Sequence, residues 1–266
     1  MSTHAETAPV PLATPSLRVA ALAYLVAAGA AEALLALAGP LPAAIADGVL
    51  LLVLAIHAQV LERRADVRGA GTVGVLTLVP LLRLLSLAMP VRGASELGWY
   101  ALVGAPLLLA VALAARRLPP DWAARALSLR ATPVQALIAL AGVPLGLVPY
   151  LAVRPGELAG GGDPKRLVAG ALVLLVFVGF TEEALFRGLL QHVLCELFGR
   201  VGLPLAAAAF ALCYVGSLSA PYVAFSAAIG VCFGWCVART RSLLGVCVAH
   251  GLLAVGLVLV WPLVLG

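Results

Sequence analysis

Nine runs of roughly twenty apolar residues fill almost the whole of this 266-residue chain. A run of that length is what a helix needs to cross the hydrocarbon core of a bilayer. The runs fall at about 18–39, 43–62, 71–90, 97–116, 134–153, 167–197, 203–219, 222–238 and 243–265. Pro40, Pro42, Pro90, Pro119, Pro120, Pro133 and Pro204 sit at their ends, where proline interrupts no internal hydrogen bond. The expected fold is therefore all-α, a polytopic transmembrane helical bundle of about nine spans. Eight is the alternative count, because the seventh and eighth runs are short and read as tilted or partly re-entrant around 217–221. Only 11% of residues are charged, against about 25% in a soluble domain. That leaves no room for a separate soluble domain.

Charge adds orientation. The net charge of +5 comes from arginines at helix ends and does not point to nucleic acid. With nine spans, one side collects Arg18, Arg63, Arg64, Arg68, Arg116, Arg117, Arg125, Arg130, Arg200, Arg239 and Arg241. The other collects Arg92, Arg154, Lys165 and Arg166. The positive-inside rule then places the N-terminus in the cytoplasm, with the protein in the cell membrane. The clean split itself supports nine. Residues 1–17 read as a short disordered tail, 18–153 as N-terminal spans and 167–265 as the core that carries the chemistry. Residues 117–133 read as a short amphipathic helix on the cytoplasmic face, and the glycine-rich 155–165 as a flexible outer loop. Cys195, Cys213, Cys232, Cys236 and Cys247 have no zinc-finger spacing and read as small apolar residues.

Against this apolar background one segment stands out, 179–190, which places Glu182, Glu183 and Arg187 in mid-helix. An ionisable residue at membrane depth is costly, rare and by default functional. Glu183 and Arg187 are spaced i, i+4 and meet on one helix face. Glu182 is rotated by about 100° from that direction and is free to face a cavity as a general base. The alternative is a structural ion pair beside a glutamate that faces water or a neighbouring helix. His250 lies about two turns into the last span. Glu182 lies about 22 Å along the sixth span at 1.5 Å per residue. Both then fall between the midplane and the cytoplasmic surface, so they can meet. On its own such a histidine is often a helix–helix hydrogen-bonding residue. Tyr214 carries a hydroxyl that needs a partner if buried. Glu32, Asp47, His57 and Arg83 lie in the first three spans, where a Glu32–Arg83 or Asp47–Arg83 pair would join helices, or line a substrate groove. Gly230 and Gly234 read as close helix packing.

Over about residues 168–262 the chain resembles the CPBP family of intramembrane glutamate or metallo-proteases, also called the Abi or CAAX-protease type. The family pattern is Glu-Glu-x-x-x-Arg, then Phe-x-x-x-His, then His-x-x-x-Asn/Asp. Glu182, Glu183 and Arg187 match the first motif in full, flanked by Phe186 and 188–191 in the family style. The stretches 230–235, 239–244 and 249–251 are similar to the family's closing helices. Two positions depart: Phe210 leads to Tyr214, and His250 leads to Ala254. The resemblance implies Glu182 as the base that activates water. Glu183 and Arg187 would fix its helix, and His250 would serve as oxyanion donor or metal ligand. Tyr214 would donate a hydrogen bond where a histidine is expected. It is compatible with zinc held by Glu182 and His250, or with no cofactor. It implies a membrane-associated or lipidated peptide or protein as substrate. Three readings stay open: an endopeptidase cutting near the membrane surface, a degenerate relative acting as a scaffold or immunity-type protein, and a small transporter with proton-relaying carboxylates.

Overall fold

A computed structural model describes residues 15–89, 96–117, 127–129, 131–156 and 163–265. The described residues are mostly helical, with no strand among them. The fold is an all-α polytopic bundle, as expected. Its helices are α1 (Pro15–Ala38), α2 (Pro40–Arg63), α3 (Val67–Ala88), α4 (Glu96–Ala115) and α5 (Thr132–Val153). Then follow α6 (164–198), α7 (Gly202–Leu212), α8 (Ala220–Thr240) and α9 (Leu244–Leu265). All but α7 are long and apolar enough to cross a membrane, which makes eight among the described residues. The chain is an integral membrane protein.

The first helix starts at Pro15, three residues before the expected span, because proline suits a first helical turn. Most of the expected tail, most of the expected amphipathic helix at 117–133 and the centre of the glycine-rich loop lie outside the described residues.

The seventh run differs from a full span. Its α-helix stops at Leu212, and a 3₁₀ turn covers Val215–Ser217. Eleven residues rise about 16 Å, roughly half the hydrocarbon thickness. Gly199, at φ 61° and ψ −132°, takes a positive-φ conformation open to glycine, which ends α6 and turns the chain into α7. From there α7 and α8 form an antiparallel hairpin. A Cβ on Gly230 would meet Ala207, and one on Gly234 would meet Leu203 and Gln191, so both glycines pack closely as read from sequence.

Three apolar clusters hold the bundle together. The largest joins α1–α4 to α6 and α7 through Leu54, Val73, Leu107, Leu185, Phe186 and Phe210. Two smaller ones seat α9, against α5 and α6 on one side and against α8 on the other. The α6–α9 contact is especially close. A side chain on Gly179 would run into the Cys247 carbonyl and the Gly251 backbone, and one on Gly251 would run into Leu175. The two helices touch backbone to backbone, as small residues allow in membranes.

Candidate active site

The α6–α9 contact sets the site. One turn beyond Gly179, α6 presents Glu182 and Glu183 in a single α-helical turn between two π-helical stretches, Leu174–Phe180 and Ala184–Leu190. Such wide turns are rare and concentrate at functional sites. Thr181 Oγ1 donates to the Val176 carbonyl five residues back, at 2.9 Å, in keeping with the widened spiral.

Glu183 is completely buried, 0% exposed. Its Oε1 pairs with Arg187 Nη1 at 2.9 Å, the i, i+4 contact expected from sequence. The same oxygen lies 2.8 Å from His250 Nδ1. This contact was not foreseen, because helical spacing fixes partners along one helix and says nothing of which nitrogen arrives from another. The Arg187 guanidinium carbon stands 4.1 Å from the centre of the Phe210 ring, with Phe186 and Phe233 farther off. Aromatic faces thus attract the part of the cation that Glu183 does not reach. Phe210 also meets His250 edge-on at 5.6 Å and Tyr214 at 5.1 Å between ring centres. In sequence Phe210 showed only as the first letter of a spacing pattern; here it is the wall between cation, imidazole and phenol.

Glu182 points elsewhere. Its Oε2 accepts a hydrogen bond from the Tyr214 hydroxyl at 3.3 Å and lies 4.0 Å from His250 Nε2. Its side chain keeps 18% exposure while that of His250 keeps 4%. A water about 2.8 Å from both atoms fits that separation. The short α7 is what brings Tyr214 to this depth, and the Tyr222 ring of α8 meets it at a tilt, 5.0 Å between ring centres. Tyr222 carried no signal in the sequence.

All five expected site residues, Glu182, Glu183, Arg187, Tyr214 and His250, therefore converge. His250 reconciles the two glutamates by turning one nitrogen to each. The expected neighbour Ala254 is buried among Tyr150, Val258 and Leu259, so no polar group occupies that turn of α9. For a metal, Glu182 and His250 supply two donors, and a catalytic zinc centre takes about three protein ligands. Glu183 is engaged with Arg187 and the far nitrogen of the imidazole. No group of three or more His, Cys, Asp and Glu side chains able to hold a metal occurs among the described residues. Glu182 and His250 are thus one donor short of that set.

Two carboxylates, a buried guanidinium and an imidazole, shared between α6 and α9, define an intramembrane polar site. Residues 164–256, which carry all five residues, match the family model for Rce1-like, type II CAAX prenyl endopeptidases. The resemblance drawn from the Glu-Glu-x-x-x-Arg motif holds over that stretch, which is CAAX-protease-like and forms part of an integral membrane protein. It matches no curated protein and no solved structure.

Proposed function

We propose that the protein is an integral-membrane endopeptidase that hydrolyses a peptide bond near the membrane surface of a lipidated or membrane-associated substrate. The observation that carries this reading is the placement of Glu182 Oε2 within water-bridging reach of His250 Nε2, while Glu183 and Arg187 hold the imidazole from behind. Glu182 takes a proton from the attacking water and returns it to the leaving amine. Tyr214 orients the carboxylate through its hydroxyl. His250 donates at Nδ1 to Glu183. Protonated at both nitrogens, it offers the Nε2–H to the oxyanion of the tetrahedral intermediate. No step calls on a metal. The N-terminus lies in the cytoplasm of a cell-membrane protein, a reading supported by the arginine asymmetry. The hairpin of α7 and α8 returns Arg239 to the side of Arg200 whether or not its tip crosses.

The test is cleavage of membrane-tethered, lipidated peptides by purified protein in bilayers, with and without chelator. Glu182→Gln is expected to lower the rate about 100-fold or more with an unchanged Tm. Chelator is expected to have no effect. Cleavage at the wild-type rate in Glu182→Gln would remove Glu182 as the base.

A second reading has its own observation. Tyr214 and the buried Ala254 stand where the family carries polar groups, which favours a catalytically silent relative that keeps the Glu183–Arg187–His250 core as a fold element. Absence of cleavage by the wild type, with activity gained in Tyr214→His, would select it.

A further inference from the structure

A second ionic cluster lies apart from the proposed catalytic groups, at the foot of a cavity of about 250 Å³ between α1, α2, α3 and α7. The cavity wall is otherwise apolar: Leu22, Leu25 and Val26 of α1, and Leu205 and Leu212 of α7, face into it. Its polar end is Glu32, Asp47 and Arg83. Arg83 pairs with Glu32, its Nη2 donating to Oε2 at 3.0 Å, which is one of the two pairings the sequence offered. That leaves Asp47. It is 2% exposed, lines the cavity and feels Arg83 through space, with no direct hydrogen bond or contact ion pair among the described residues. A carboxylate sealed in an apolar bundle without a hydrogen-bonded partner is costly. The cluster holds two acids against one base, so what it lacks is a donor carrying positive charge.

The shape agrees with a bilayer-borne ligand. Glu32 lies about 9 Å from the Ala38 end of α1, and Leu22 about 24 Å from it, at 1.5 Å per residue. The charged groups thus stand near one face, and the apolar wall runs about 15 Å away from them along α1, past the middle of the helix, the polarity of a long-chain amphiphile. The mouth opens sideways to lipid, since Val26 is 72% exposed and Ala208 is exposed beside it. The volume falls just under the range of about 300–1,000 Å³ usual for small-molecule sites, which suits one chain rather than two.

We infer that this cavity binds a single-chain amphiphilic amine, its ammonium on Asp47 and its alkyl chain along α7. The inference does not depend on Glu182 being a base. Binding of decylamine, decanol and decanoate to the full-length protein in nanodiscs tests it, read as Tm shift and as saturable binding. Decylamine is expected to bind saturably and raise Tm, with decanol at least tenfold weaker and decanoate absent. Asp47→Asn is expected to weaken decylamine at least tenfold. Ala208→Phe, placed at the exposed mouth where folding is least disturbed, is expected to block it. Decanoate or decanol binding as well as the amine would overturn the assignment, and so would decylamine binding unchanged in Ala208→Phe. Should Asp47→Asn fail to fold, the Ala208 variant and the three-ligand comparison decide the matter.

Discussion

At the level of single residues, the two adjacent glutamates have opposite fates. Glu183 is locked between Arg187 and His250 with no exposure, whereas Glu182 retains an accessible edge. Removing one partner of a buried ion pair costs about 3–5 kcal/mol, so Arg187→Leu should depress Tm far more than Glu182→Gln, measured on the same preparation. Tyr214→Phe removes one hydrogen bond to the proposed base. It should lower cleavage roughly tenfold, about 1.4 kcal/mol, without affecting stability to a similar degree. Ala254→Asn forces an amide into an apolar cluster and should destabilise by about 1–3 kcal/mol as read by thermal unfolding. The Glu183–Arg187 pair was legible in the sequence because it is a matter of spacing on one helix. The division of the His250 ring between two carboxylates was not, because it depends on the rotation of α9 about its own axis. Asp47 was read as a possible partner of Arg83, and the choice fell to Glu32 through the way α1, α2 and α3 are turned toward one another.

At the level of helices, runs of apolar residues and prolines located nearly every element to within a few residues. The exception is instructive. The seventh run is apolar enough to span, yet its helix stops at Leu212 and gives way to a 3₁₀ turn. Hydropathy reports solubility in lipid and is silent on where a hairpin turns. The π-helical stretches that flank Glu182 and Glu183 were equally silent, since no residue type marks them. The Gly179–Gly251 contact makes the clearest prediction here. Gly251→Val should drive α6 and α9 apart, costing about 1–3 kcal/mol from overpacking and abolishing cleavage together. Thermal unfolding and activity measured side by side check it. Gly39→Ala, where a Cβ meets nothing within 4 Å, leaves α6 and α9 untouched and should leave cleavage at the wild-type rate despite some local backbone strain at φ 89°.

At the level of the whole molecule, the arginine count supports one sidedness. A single cysteine placed at Arg64 in a cysteine-free background should react with impermeant maleimide only when the cytoplasmic face is opened. Labelling from outside intact cells would reverse the orientation. The match to the endopeptidase family covers residues 164–256, so α1–α5 stand outside it. Of these, α1–α4 are built into the same core as α6 and α7, and α5 packs on α9 and α6. Deleting them should therefore unfold the remainder rather than release a free catalytic unit.

The direct contact of the α6 and α9 backbones has one more consequence. At about 52 Å, α6 is longer than the roughly 30 Å hydrocarbon layer, and a membrane of altered thickness makes it lean. Two rods touching main chain to main chain lean together. Carboxylates and imidazole ride on that joined pair, so their spacing is insulated from the host lipid. Cleavage in short-chain and long-chain bilayers should then differ in how substrate is met, as a shift in KM, and hardly at all in kcat.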